Sequence, residues 1–255
     1  MASNTDGDSY TLQSVGRAFE IVETLEEREG MTTSELADEF DLPPSTAHVY
    51  LKTLTDTGYV VRDGTEYQLG LRFLKHGGHV RHRLDIYQAA KSEIDALARR
   101  TGEAVDFGIE ENGKRVLVYK SEGPDVVTQK PVTGDYAYMH MTALGKAMLA
   151  TMEDDRVDEI VSTHGLPQAT QHTIDNRSDL FAEIERTRER GYSVEDQERR
   201  EGIRAVGAAI KRESGAPNAI SISGPKSKLT DERIEELYGE IDDSINVIQI
   251  KIRNY

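Results

Sequence analysis

The chain has no cysteine among its 255 residues. That excludes disulfides and thiolate metal sites, and it makes a stapled, secreted fold the wrong expectation. No apolar run approaches the ~20 residues that a membrane-spanning helix requires. The opening segment MASNTDGDSY lacks the basic and apolar regions of a signal peptide. A cytoplasmic protein with no membrane partner is therefore expected. Bases are scarce: 31 Lys and Arg face 46 Asp and Glu, a net charge of −15. Taken alone, that balance argues against nucleic acid, but the acid is unevenly spread. Residues 1–84 carry eight bases and fourteen acids, −6, which leaves −9 for the rest. No acid occurs between Leu42 and Thr55, nor within 67–84, where Arg72, Lys75, Arg81 and Arg83 accompany three histidines. Internal repeats and low-complexity tracts are also lacking.

The most informative segment is Thr32–Gly70. Thr32 followed by Glu35 is a capping box, which satisfies two orphan amides at a helix start. Leu36, Ala37 and Phe40 form one apolar face of a short helix that Asp41, Leu42 and Pro43 end. Pro44 suits the first turn of a second helix, where its missing N–H would be unpaired anyway. Ala47, Leu51 and Leu54 then face inward, and Ser45, Thr46, His48, Val49 and Lys52 face outward. Gly58 stops that helix. Two alternating runs, Tyr59–Arg62 and Thr65–Leu69, hinge at Asp63-Gly64, which reads as a type I′ hairpin. Helix, tight turn, helix and hairpin make a winged helix-turn-helix, whose second helix enters the DNA major groove. The outer face of that helix is small, polar and free of acid, as an approach to phosphates demands.

Elsewhere the pattern predicts a first helix over Ser14–Glu29 with Val15, Phe19 and Val22 buried. Residues 71–84 are partly helical, and Gly77-Gly78 suggests either a hinge or a break between two helices. From Asp85 onward helices and strands mix. Expected helices are Ile86–Arg100, Thr142–Ala150, Asp154–Thr163, Arg177–Arg190 and Thr230–Ile252. Expected strands are Ala104–Ile109, Arg115–Lys120, Val126–Lys130, Tyr192–Asp196, Ile203–Lys211 and Pro217–Ser223, with a hairpin turn at Asn112-Gly113. An antiparallel sheet with helices packed on it makes an α+β domain.

At particular words the chain resembles the IclR family of transcriptional regulators. They are Leu-Pro-Pro-Ser-Thr-Ala-His at 42–48, Gly-Tyr-Val at 58–60 and Tyr-Gln-Leu-Gly at 67–70. Further on come His-Met-Thr-Ala-Leu-Gly-Lys-Ala at 140–147, Arg-Gly-Tyr at 190–192 and Ala-Ile-Ser-Ile-Ser-Gly-Pro at 219–225. The resemblance runs from about Leu12 to Ile252 with its motifs in order. It implies a polar tail over 1–10, a DNA-binding domain over 11–70, a linker over 71–84 and a GAF-like effector-binding domain over 85–255. DNA contacts are implied for Ser45, Thr46, His48, Val49, Lys52 and, in the wing, Arg62. Many relatives have Arg where this chain has Val49, which offers only apolar contact. The effector pocket is implied at Ala143 and Leu144, beside a helix start whose free amides suit an anion, and at Asp196, Ile203, Ala205, Ser221 and Ser223. Position 205 is often cysteine in relatives. The two serines alternate on a strand, so a water-facing surface is the other reading.

The implied function is a ligand-responsive regulator of a catabolic operon. It would act on operator DNA as a homodimer, or a dimer of dimers, and sense a small organic acid, with no cofactor. The rival is an enzyme on the second domain with an accessory DNA-binding module. No Ser–His–acid order, paired carboxylates or nucleotide fingerprint supports it. Gly145-Lys146 is not a phosphate loop, because the residue five before Gly145 is His140. His76, His79 and His82 drift around a helix and lack a completing ligand, so no metal is expected. Arg outnumbers Lys, 20 to 11, and acid lies in most of the expected helices. This resembles proteins of salt-loving organisms, an ordinary acidic protein being the alternative.

Overall fold

The computed structural model describes residues 12–123, 132–212 and 214–253. The expected tail over 1–10 and the strand at Val126–Lys130 lie outside these. The chain divides into two compact units between Val80 and Arg81.

The first unit contains α1 (Gln13–Glu27), β1 (Met31–Thr32), α2 (Thr33–Glu39), α3 (Pro44–Asp56), β2 (Val60–Asp63) and β3 (Glu66–Leu69), and α4 (Arg72–His82) begins in it. The capping box forms as expected: Glu35 N–H donates to Thr32 Oγ1 at 3.3 Å, and Thr32 N–H to Glu35 Oε2 at 2.8 Å. Ile21, Leu25, Leu36, Ala47, Leu51 and Val60 make the core. On α1 the buried stripe is not the expected one. Val15 is 50% and Phe19 62% exposed, whereas Ile21 and Leu25 are buried. Adjacent stripes of an amphipathic helix both look apolar in sequence, and only the surface offered by α2 and α3 chooses between them. The wing's turn also differs. Asp63 pairs with Glu66, so the loop is Gly64-Thr65. Gly64 alone has positive φ, +59°, as a type II′ turn requires.

Helix α4 runs through Gly77-Gly78 without a break and buries none of its residues. The interruption falls at 83–84, before α5 (Asp85–Thr101). A Cβ added at either glycine would meet nothing within 4 Å. Packing therefore does not explain the pair, and the absent side chains only raise the cost of keeping α4 helical.

The second unit continues with β4 (Ala104–Glu111), β5 (Lys114–Glu122), β6 (Tyr136–Tyr138), a 3₁₀ turn at Met139–Met141, α6 (Ala143–Leu149) and α7 (Asp154–His164). It ends with α8 (Arg177–Arg190), β7 (Ser193–Asp196), β8 (Ile203–Ala209), β9 (Asn218–Pro225) and α9 (Asp231–Arg253). Among the described residues the strands form a six-stranded antiparallel sheet in the order β6-β5-β4-β9-β8-β7. The Asn112-Gly113 turn is as expected, with φ of +52° and +78°. Helices α5 and α9 cover one face through Ile94, Leu97, Leu237, Ile241 and Ile245 against Val105, Val206 and Ile220. Helices α6, α7 and α8 cover part of the other through Leu144, Met148, Val157 and Leu180 against Leu117 and Ala219.

Gly77→Ala and Gly78→Ala should each stabilise α4 by about 0.5–1 kcal/mol, because the sites are sterically open and Gly is the poorer helix former. Helical signal by circular dichroism should rise and melt later. A drop in either would show that the glycines serve packing.

Candidate functional sites

Helix α3 presents Ser45, His48, Val49 and Lys52 as exposed residues, with Thr46 part-buried, while Ala47 and Leu51 anchor it from behind. Arg62 is exposed in the wing, where its Nε donates to Gly64 O at 2.9 Å and its guanidinium lies 5.6 Å from the Tyr67 ring. One residue past the acid-free stretch, Asp56 ends α3 and holds Lys52 Nζ at 2.6 Å. Both side chains are exposed, so this ion pair is worth little and a phosphate could replace the carboxylate. Asp56 was the charge that counting to Thr55 overlooked. The linker histidines do not converge. His76 Nε2 lies 2.9 Å from Tyr59 Oη, and His82 Nδ1 lies 2.9 Å from Gln88 Nε2. Among the described residues no three side chains gather as metal ligands.

In the second unit α6 lies directly on the sheet. A Cβ at Gly207 would sit 2.9 Å from the backbone C and O of Ala143, and one at Gly145 would collide with the backbone of Met139. Glycine is needed at both points because backbone packs on backbone. Ser193 Oγ donates to Ala143 O at 2.6 Å and ties α6 to β7. Thr142 Oγ1 accepts from Gly145 N–H at 2.9 Å, so one amide of the helix start is already used.

The register lays out this face row by row. Ser193, Gly207, Ser221 and Asp106 are successive partners across β7, β8, β9 and β4. Glu195, Ala205, Ser223 and Ala104 form the next row. Since Gly207 touches Ala143, both rows look toward α6. Ala143, Leu144, Ala205, Ser221 and Ser223 are thus brought together, and Ile203 lies two residues before Ala205 on the same face. For the serines, the alternation turns them toward α6; Ser221 is only 4% exposed.

Asp196 is not with them. It pairs with Arg204, one residue off the Ala205 row, and so lies on the opposite face. There it takes Lys226 Nζ at 3.0 Å and Arg204 Nε at 3.4 Å. Partial burial opposes its ionisation, but these two cations hold its carboxyl below the usual range. The residue that takes its place in the polar row is Glu195. A one-residue slip on a strand exchanges faces, and consecutive acids in Glu195-Asp196 conceal which one points inward.

Three further charged groups line this face. Lys146 is completely buried and reaches Glu198 Oε1 at 2.5 Å. Glu195 is buried nearby; burial pushes its carboxyl up to about 7, with Lys146 opposing and Glu198 reinforcing the rise. Burial raises Glu198 as well. Arg115 is 2% exposed, and burial followed by repulsion from Arg199 brings it down to about 10. A lysine within the apolar word TALGKAML and an aspartate within AVDFGIE were the signals in sequence that could have marked such positions. His140, buried, gives Nε2···Pro167 O at 3.1 Å, and burial lowers its pKa. It braces a loop.

A winged helix-turn-helix followed by a separate α+β unit is the architecture of a two-domain DNA-binding regulator. The profile of the IclR helix-turn-helix domain matches residues 14–64, and that of the bacterial transcriptional regulator IclR C-terminal domain matches 78–249. The chain is 30% identical over 253 residues to a probable HTH-type transcriptional regulator ArcR of Halobacterium salinarum, covering 97% of this chain and 96% of that one. The crystal structure of the Thermotoga maritima IclR is 29% identical, with a TM-score of 0.79 over 95% of this chain and 99% of that one. An IclR homologue from Microbacterium hydrocarbonoxydans, crystallised with 4-hydroxybenzoate, shares the fold at 18% identity and a TM-score of 0.79, covering 95% and 100%. The chain belongs to the IclR family of DNA-binding transcriptional regulators. Its relatives are named as regulators and repressors, and on that ground the enzyme alternative is set aside. Among the described residues no helix is long and apolar enough to cross a membrane.

For a carboxyl raised in the folded state, stability is fully present near the unfolded pKa, falls as pH rises toward the folded one, and is flat above it. The wild type should therefore lose stability between about pH 4.5 and 7. Glu195→Gln should remove on the order of 1–3 kcal/mol of that loss. Urea denaturation of both proteins at several pH values checks it; parallel curves would show that Glu195 does not titrate in this window.

Proposed function

We propose that this regulator controls a catabolic operon and senses a small organic acid in the face between α6 and the β7-β8-β9-β4 rows. The observation that carries the reading is that small and polar residues, Ala205, Ser221 and Ser223, occupy adjacent rows on the α6 face, whereas the opposite face of the same strands carries the bulky apolar Val206, Ile220 and Ile222. Small side chains leave room, and hydroxyls can donate to ligand oxygens. The main-chain amides at Ala143 and Leu144 add donors. The DNA reader is assigned to 11–70, the linker to 71–84 and the effector domain to 85–255. The protein would work in the cytoplasm as a homodimer, or a dimer of dimers, on a pseudo-palindromic operator. Ligand binding would shift the populations of two arrangements of the recognition helices. The glycine pair of α4 is proposed as the compliant point between sensing and reading. Calorimetry across organic acids and neutral sugars tests the effector class: tight binding of uncharged compounds alone would reject it.

For the DNA face, Ala at Ser45 and Thr46 together, and separately at His48, should cost about 1–3 kcal/mol per lost base contact. Arg62→Ala and Lys52→Ala should weaken all sequences alike and reduce the salt slope. Asp56→Asn should do the reverse and tighten binding to every duplex, since it removes a carboxylate beside Lys52. Mobility shifts on the chain's own upstream DNA, at several salt concentrations, decide this. Equal DNA binding by the isolated 85–255 half would refute the assignment.

We also propose that the charge of −15 is an adaptation to high salt. Screening at molar KCl, where the Debye length is about 3 Å, should relieve self-repulsion and raise the melting temperature. A melting temperature that stays flat or falls from dilute buffer to molar chloride would sink that idea.

A further inference from the structure

On the α6 face three charged side chains carry a buried atom with no hydrogen-bond partner, and of these Glu198 is otherwise paired with Lys146. Arg115 Nε and Asp106 Oδ1 are both shielded from solvent and make no hydrogen bond. Native interiors rarely leave a charged donor and a charged acceptor unmatched, because each forfeits its hydration without compensation. The two belong to one cluster: Asp106 favours the charge on Arg115, Arg115 that on Asp106, and Arg199 acts on both.

The backbone explains how they come together. Arg115 starts on β5 opposite Glu110, and Asp106 lies farther back on β4, in register with Ser221. Gly108 stands between them, on the face of Asp106. A Cβ there would lie 3.2 Å from Arg115 Cδ and 3.0 Å from Leu144 Cδ1. The missing side chain is therefore the channel through which Arg115 passes beneath Leu144. Among the described residues its guanidinium makes one hydrogen bond, a long one, Nη1 to Asp135 O at 3.4 Å, out of the five N–H groups it offers. A nearly buried cation is thus held with its Nε donor unspent, in one charge cluster with a carboxylate whose Oδ1 is also unspent.

Helix α6 is a weak rival as the anchor of an anion. It has seven residues, and Thr142 occupies the N–H of Gly145. Of the full positive charges in this face, Lys146 is paired with Glu198 and Lys120, the register partner of Asp106, with Glu122, whereas Arg115 has no carboxylate partner among the described ion pairs and Arg199 adds to its charge. A second carboxylate on the ligand would meet Asp106 and Glu195, which favours a monoacid.

We propose that Arg115 receives the carboxylate of the effector and that Asp106 accepts a hydrogen bond from a hydroxyl of the same molecule, so that the effector is a short monocarboxylic hydroxy acid. This rests on the reading of the α6 face as the effector pocket.

The test uses the full chain in molar KCl, with calorimetry against lactate, glycerate and 4-hydroxybenzoate, each beside its deoxy acid and its amide. The wild type should bind at least one hydroxy acid more tightly than the matching deoxy acid and amide. Arg115→Met should weaken that acid by about tenfold or more and abolish its advantage over the amide. Arg115→Lys should keep part of the advantage. Asp106→Asn should weaken the hydroxy acid and leave the deoxy acid unchanged. Wild-type affinities in the Arg115 and Asp106 variants, preference for amides, or binding of no panel compound would each overturn the proposal. Should Arg115→Met fail to fold by circular dichroism, Arg115→Lys and Asp106→Asn decide on the same criteria. Mobility shifts run in parallel separate the two readings. Titration through Arg115 without any DNA binding would sink the regulator and leave the subsite, while DNA binding with unchanged variants would sink the subsite alone.

Discussion

The second unit depends on one approach of backbone to backbone. Gly207 of β8 and Ala143 of α6 touch with no side chain between them, and a Cβ at Gly207 would be 2.9 Å from the Ala143 carbonyl. The rows of β8, β9 and β4 beside this contact carry small or polar residues, Ala205, Ser221 and Ser223 among them. Ser193 Oγ, donating to the same carbonyl, fixes the helix laterally. The small residues around this contact are thus the condition for having a polar face at all. Farther along α6, Met148 joins Leu180 of α8 in an apolar cluster on the same side of the sheet, which supplies the stability that such a face forgoes.

Charge is concentrated where this arrangement shields it. Lys146 and Glu198 are paired in the interior, Glu195 sits beside them, and Arg115 and Asp106 stand apart with unfilled hydrogen-bonding capacity. A buried ion pair is poor evidence of stabilisation, since desolvation consumes most of its Coulomb energy. On the proposed reading, the burial of several ionisable groups in one cluster serves a ligand. A desolvated site strengthens each interaction with a charged guest, and the protein bears the cost of preparing it in advance.

The first unit faces the opposite problem. A strongly acidic protein of a DNA-binding family has to present one surface free of acid, and α3, the proposed reading helix, carries none before its last residue. Asp56 at that end is exposed and ties up Lys52. Such a pair, loose in water, mutes the positive charge in the free protein without removing it, and gives DNA a modest electrostatic barrier to displace. In high salt both the pair and the repulsion of the surrounding acid are screened.

Much of this was legible in the residues themselves. Local signals depend on near neighbours, so the capping box at Thr32, the turn at Asn112-Gly113, the limits of α8 and the buried isoleucine stripe of α9 could be read directly, as could the family from its ordered words. Faces could not. Which of two apolar stripes α1 buries, and whether Glu195 or Asp196 points toward α6, are decided by partners far away in the chain, and a shift of one residue on a strand reverses the answer. The short β6, paired with β5, carries too few residues to show a period. Asp106 and Arg115 looked like ordinary strand residues, because only folding brings them over the same glycine. Sequence determined the elements and their order through local sterics and hydrogen bonding; tertiary structure decided which charges share a buried space, because that depends on register across strands distant in the chain.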